Sequence, residues 1–265
     1  MRWLKTYPTL LKAYWARSIE YRGQIIIWIL SSVLPLIMLV VWLTVSAQQG
    51  GSVAGYDATG FISYYLMVTL IRRITGVWII WDMDHDIRNG ELSPQLLKPL
   101  NPIHHLFTSS LASKPFQALL VAPPIAVASI LFSARYDLSL PSIVLTLAAA
   151  FGAFLIEFLV QALIGTLAFW ITQSIAVAEA WFWVRAFLSG WIVPLAVLPA
   201  AIVGPLNFLP FRYTLSFPIE IILGRLPLDQ IALGFAVELS WIAILLLAFQ
   251  WMWRRGLRSY SAVGA

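Results

Sequence analysis

Residues 142–172 read SIVLTLAAAFGAFLIEFLVQALIGTLAFWIT, and Glu157 is the one charged residue in the run. As a helix these 31 residues extend about 46 Å at 1.5 Å per residue, more than the roughly 30 Å of a bilayer's hydrocarbon core. The run is apolar on every side, so its surroundings must be lipid or protein rather than water. Its surplus length is taken up by tilting or by projecting into the cytosol. Working outward, five further apolar stretches reach spanning length: 25–45, 60–81, 106–133, 179–199 and 230–253. Pro123 and Pro124 are expected to kink the third span. The reading is therefore an all-α integral membrane protein with six transmembrane helices in one domain covering 1–265.

Composition points the same way. Hydrophobic residues make up 60% of the 265 and charged residues 11%, against about 25% charged in soluble domains. Mean hydropathy is +0.84. A soluble fold of this size has too little polar surface to cover such a chain. The absence of cysteine excludes disulfides, zinc–thiolate sites and thiol catalysis. The net charge of +5 follows from basic residues collecting on the cytoplasmic side. No contiguous basic patch lies between the chain ends, so nucleic acid is not an expected partner.

Residues 1–23 carry Arg2, Lys5, Lys12, Arg17, Glu20 and Arg22. On a helical wheel Leu10, Leu11, Tyr14, Trp15, Ile19 and Tyr21 fall on one side and Lys12, Ala16, Arg17 and Glu20 on the other, which describes an amphipathic helix in the headgroup region; a packed cytosolic helix is the alternative. The 25–45 run is too long for a signal-peptide core and is expected to stay as the first span. Residues 48–59, rich in Gly, Ser and Asp, read as a loop. With the N-terminus inside, ten basic residues fall on the cytoplasmic side: Arg2, Lys5, Lys12, Arg17, Arg22, Arg88, Lys98, Arg254, Arg255 and Arg258. Only Arg135, Arg212 and Arg225 fall outside. Both termini are then cytoplasmic. Trp78, Trp81, Trp170, Trp181, Trp183, Trp251 and Trp253 sit near the inner span ends, where an amphipathic ring is favoured.

The cytosolic loop 82–105 contains Asn89-Gly90, a turn, and then Ser93-Pro94. Ser93 reads as an N-cap and Pro94 as the first helical position, with Pro99 as the stop. Leu92, Leu96 and Leu100 recur at helical spacing. The product is a short, partly apolar helix suited to a groove on a cytosolic partner, or else an ordinary loop closing the bundle. Asp82, Asp84 and Asp86 alternate like the start of a calcium loop, but Ile87 stands where that loop needs Gly and Ser93 where it needs Glu. No metal is assigned. On a helix, Asp82 and Asp86 share a face and pair with basic neighbours.

Charges inside spans are costly and mark structure or function. Glu157, with Gln161 one turn on, Arg72, Arg73 and Arg185 are candidates for lining a substrate path or for structural ion pairs. A Glu157 pair with Arg72, Arg73 or Arg185 is open; Glu179 and Glu238 are further in-span acids. No G-x-x-x-x-G-K-[ST] phosphate loop occurs, and no hydrolase or metalloprotease motif. No internal repeat of the kind secondary carriers show is visible.

The second half carries a recognisable order of short motifs. Ser189-Gly190-Trp191-Ile192-Val193-Pro194-Leu195 leads into Leu198-Pro199, then Leu209-Pro210-Phe211, Phe217-Pro218 and Ile222-Leu223-Gly224. With Gly90-x-Leu92 and Leu96-Leu97-x-Pro99, this resembles the ABC-2-type permeases, in particular their small six-span subunits. The resemblance covers nearly the whole chain. It implies the transmembrane half of an exporter that works with a second half, identical or paralogous, and with two copies of a cytosolic ATPase that binds ATP and magnesium. This chain would itself bind no cofactor and catalyse nothing. By position, the coupling contacts would include Asp86, Arg88, Glu91, Leu92, Ser93, Leu96, Leu97 and Lys98, with Gln173 and Ser174 in the short 173–178 connection. Residues 200–229 would form short outer helices, surface-lying or re-entrant, and 1–23 the connecting helix. The implied location is a bacterial plasma (inner) membrane. The three aspartates before Ile87 are not part of the family pattern. Cargo that is apolar or amphiphilic fits spans lacking a dense polar file. A self-sufficient secondary carrier, a membrane-embedded enzyme and an assembly factor are the competing readings.

Overall fold

A computed structural model describes residues 33–260. The expected amphipathic helix over 1–23 and residues 25–32 of the first span lie outside the described residues. Within them the chain is nearly all helical. α1 (Val33–Gln48) is an apolar helix. α2 (Ala58–Thr75), α3 (Ile80–Arg88), α4 (Leu92–Leu96), α5 (Pro102–Leu131), α6 (Leu140–Thr166) and α7 (Ser174–Leu188) follow. The short α8 (Ala200–Leu206), α9 (Pro210–Tyr213) and α10 (Ser216–Ile222) precede the long α11 (Leu228–Ser259). Among the described residues three helical stretches are long and apolar enough to cross a membrane: Pro102–Leu131, Leu140–Phe169 and Leu228–Ser259.

α6 is the axis of the molecule. It is mostly buried, whereas α5 and α11 show most of their apolar surface, and it packs against α11, α10, α3 and α2. Ala149, Ala150, Gly152 and Ala153 let neighbours approach closely, the usual route to tight packing where lipid gives no hydrophobic drive between helices. At Gly152 the Glu238 carboxyl of α11 occupies the space a Cβ would need. Leu119, Ile130 and Leu247 are exposed, as suits a surface facing acyl chains.

The helix limits follow local chemistry. Asn101 caps α5 by accepting from the Ile103 N–H at 3.1 Å, and Pro102 fits the first turn. α5 runs on through Pro115, Pro123 and Pro124. Ser139 caps α6, which continues as a 3-10 turn over Leu167–Phe169. α11 extends beyond the expected 230–253 to Ser259. Residues 48–59, expected as a loop, contain a two-stranded ribbon, β1 (Ser52–Val53) against β2 (Tyr56–Asp57). Its turn puts Ala54 and Gly55 at positive φ, as tight hairpins require. Asp57 then caps α2 by accepting from Gly60 N–H at 2.7 Å.

Two expected spans are interrupted. The 60–81 helix stops at Thr75, because Gly76 turns to φ −60°, ψ 136°, and helix resumes only at Ile80. Side chains from other helices fill the gap. Lys114 donates to the Gly76 carbonyl, while Gln161 donates to Val77 O at 2.5 Å and accepts from Ile79 N at 3.1 Å. The 179–199 helix in fact runs from Ser174 to Leu188, so the connection before it is 170–173 rather than 173–178. It ends at Ser189-Gly190, where Gly190 takes φ 90°. Tyr64 donates to Gly190 O and Tyr65 to Ile192 O, both at 2.7 Å. Ser216 donates to Ser189 O at 2.7 Å.

A Cβ on Gly190 would meet the Ser216 and Tyr64 hydroxyls and would sit at a φ that L residues avoid. Gly204, in α8, has nothing near its missing Cβ. Gly190→Ala is expected to destabilise the protein by about 2–4 kcal/mol, read as a lowered unfolding midpoint in detergent. Gly204→Ala should leave the midpoint level or raise it by the equivalent of about 0.5–1 kcal/mol.

Candidate functional site

The break at 76–79 opens one side of a cavity of about 460 Å³. The end of α2 supplies Arg72 and Arg73, α6 supplies Glu157, Gln161 and Ile164, and α7 supplies Trp181, Phe182 and Arg185. The five residues named as candidates for a substrate path or ion pairs, Arg72, Arg73, Glu157, Gln161 and Arg185, thus line the same space. Glu157 pairs with Arg185: Nη1 donates to Oε1 at 2.5 Å, with the side chains 2% and 11% exposed. Arg72 lies over the Trp191 ring at 3.5 Å, a cation–π contact that is strong in a dry setting. Gln161 spends its amide on the chain break and so forms wall rather than a free polar group. The remaining surface is aromatic, with Trp78 and Trp81 5.4 Å apart and Phe182 6.3 Å from Trp78.

Below the cavity lie the residues that the sequence placed at a coupling surface. α3 turns at Asn89-Gly90, with Gly90 at φ 78°, and α4 follows. α4 begins at Leu92, with Glu91 at its cap position and no side-chain capping bond. Ser93 is therefore not the N-cap: its hydroxyl donates to Tyr260 Oη at 3.2 Å, which ties α4 to the end of α11. Leu92 is buried, Leu96 is partly exposed, and Leu97 is 88% exposed. Lys98 is exposed beside them. Asp86 accepts from Gln95 Nε2 at 2.8 Å, holding α4 against α3. Glu91 lies 3.5 Å from His85 on the exposed side.

Arg88 and Ser174, from the two segments expected to form the coupling surface, meet at a residue the sequence reading left unassigned. Asp84 is buried and accepts from Arg88 Nε at 2.7 Å and from the Ser174 hydroxyl. Arg88 also donates to Ile171 O at 2.9 Å. Gln173 sits exposed at the start of α7 without a capping bond. The 84/88 spacing is an i,i+4 acid–base pair, so the signal for Asp84 was present. Among the described residues no cluster of three or more His, Asp or Glu side chains gathers.

Long apolar helices, with a short exposed helix beneath one end, make up the described part of the chain. The family model for ABC-2 family transporter proteins matches residues 24–264. The chain belongs to that family. No curated protein matches it. ABC-2 membership makes it a multi-pass membrane protein, the permease component of an ABC transporter. Lys114 was missed by the sequence reading; a lone lysine inside an apolar helix was itself the signal, and its ammonium supports the chain break.

Replacing Glu157 alone by Leu strands Arg185 in a buried site. A loss of about 3 kcal/mol is expected, measured by thermal unfolding in detergent. The double variant Glu157→Leu/Arg185→Leu should recover most of it. A double-variant loss equal to the sum of the Glu157→Leu and Arg185→Leu losses would show that the two side chains are not coupled.

Proposed function

We propose that this ABC-2 protein is an exporter permease subunit that moves an apolar or amphiphilic substrate using ATP hydrolysed by a separate ATPase. Six crossings serve it: the apolar run that ends in α1, then α2, α5, α6, α7 with the stretch to Pro199, and α11. α8 to α10 close the outer end. Two such subunits, identical or paralogous, pair above two ATPase copies, which hold the ATP and magnesium. Both termini face the cytoplasm, and the membrane is the bacterial inner membrane.

The observation that carries the reading is the exposure of Leu97. An aliphatic side chain is held in the open at the end of α4, while its neighbour Leu92 is buried and anchors the helix. Such a side chain on a short, braced helix suits a groove on a cytosolic partner. The charge distribution agrees. Arg212 pairs with Glu220 at 2.5 Å, Arg135 with Asp57 at 3.4 Å, and Arg225 stacks on Tyr56 at 3.3 Å. Arg135 and Arg225 thus gather at the ribbon, at the end of α2 opposite Arg88 and Lys98, and Arg212 belongs to the short helices.

Leu96→Asp/Leu97→Asp should abolish co-purification with the ATPase or ATPase stimulation, while membrane insertion and thermal stability stay within the error of the wild type. Unchanged stimulation would remove α4 from the coupling path. Sidedness is testable directly, because the chain has no cysteine. Gln95→Cys should react with an impermeant maleimide only when the cytoplasmic face is open, and Asp229→Cys only from the outer face. The reverse pattern would invert the assigned orientation.

A further inference from the structure

The cavity carries more positive than negative side chains. Three arginines, Arg72, Arg73 and Arg185, and two glutamates, Glu157 and Glu179, line it. Glu179 is exposed at its rim, and Glu157 is committed to Arg185. Arg72 is the deeper question. Its guanidinium is held by the Trp191 face at 3.5 Å and lies 6.0 Å from the Phe182 ring. No carboxylate among the described residues lies within ion-pair distance of it.

An aromatic face balances a cation from above. It offers no acceptor to the in-plane N–H groups of a guanidinium, five donors in all, and the cation–π contacts are the ones Arg72 makes among the described residues. A cation in an apolar segment is costly to keep, and a planar donor fork is the geometry that grips a carboxylate, sulfate or phosphate through two parallel bonds. The other walls are indole and phenyl rings, Trp78, Trp81 and Phe182. Pockets of 300–1,000 Å³ are the usual size for a small ligand, so about 460 Å³ accepts a headgroup and the first part of a chain.

We infer that the cavity selects an anionic amphiphile, its oxyanion headgroup on the free edge of Arg72 and its apolar tail along the Trp78–Trp81–Phe182 wall. This rests on reading the cavity as a place where cargo is held. Binding needs no ATPase, so its outcome is independent of whether α4 couples to one. A purely structural role for Arg72, which sits in the last turn of α2 where carbonyls favour a cation, would be indifferent to the charge of a ligand.

The test is equilibrium binding of radiolabelled dodecyl phosphate to the purified full-length protein in a neutral maltoside detergent, with protein-free micelles subtracted. Saturable binding is expected, displaced by unlabelled dodecyl sulfate and not by the same concentration of dodecyltrimethylammonium or inorganic phosphate. Arg72→Gln should weaken binding by about tenfold or more, the scale of one charge-assisted contact. Arg72→Lys, which keeps charge but loses the fork, should fall between. Arg255→Gln, at the far end of α11, should bind like the wild type. Equal displacement by the cationic amphiphile overturns the inference, and so does unchanged affinity in Arg72→Gln. Effective competition by inorganic phosphate overturns its amphiphile part, making a free oxyanion the ligand. The charge-selectivity arm uses the wild type alone, so it stands even where a variant fails to fold.

Discussion

A backbone amide or carbonyl in an apolar medium must find a partner, and two places in this chain test that constraint. At 76–79 and at 189–192 the helix stops among packed helices, and in each case side chains from elsewhere supply the missing bonds. Lys114 and Gln161 serve the first break. Tyr64, Tyr65 and Ser216 serve the second. The rest of the architecture follows from those repairs. The first break lets α3 turn away from α2 and opens the cavity. The second brings Trp191 under Arg72, and it ends α7 soon after Arg185, the residue that reaches Glu157. Because the partners come from α2, α5, α6 and α10, each repair also pins helices against one another.

Charge placement follows the same logic. Inside the bundle, the acid Glu157 is neutralised at contact distance by Arg185, and the cation Arg72 is supported by an aromatic face. Buried pairs of this kind add little net stability, but removing one member is expensive, so they act as constraints on how α6 and α7 sit. Glu238 is the exception. Its carboxyl lies against Gly152, with Oε1 buried and unpartnered, so α6 and α11 approach closely around a group with no counter-charge among the described residues.

Hydropathy made the long helices legible, since α5, α6 and α11 owe their existence to composition alone, and the caps at Asn101 and Ser139 are local signals. The interruptions were not legible. Gly76 sits in a run whose composition continues to favour a span, and its carbonyl is answered by Lys114, a residue in a different helix. The same holds for Ser189-Gly190, where the donors come from α2 and α10. The five in-span polar residues could be named from sequence, but not which arginine Glu157 would choose. That choice depends on the register of α7 against α6, which no local pattern encodes. Ser93 looked like a cap because Ser-Pro is a common helix start. Here the turn at Gly90 already sets the backbone of Glu91 and Leu92 helical, and the Ser93 hydroxyl goes to Tyr260 instead.

The junction at Asp84 joins these parts into one lever. α3 has nine residues and is about 13 Å long. Its first turn, at Ile80 and Trp81, lines the cavity, and its last turn holds Arg88 against Asp84. Through Asp86 it carries α4, and through Asp84 it holds the start of α7. α7 in turn carries Arg185 to the opposite cavity wall. On the coupling role proposed for α4, a push delivered to Leu97 would act on a braced joint rather than a loose loop. Its path would run through α3 to the base of α7, the elements that carry the two walls of the cavity. A rigid element gripped at both ends is what a two-state gate needs, and the buried Asp84 joint supplies that grip at the Arg88 end of α3.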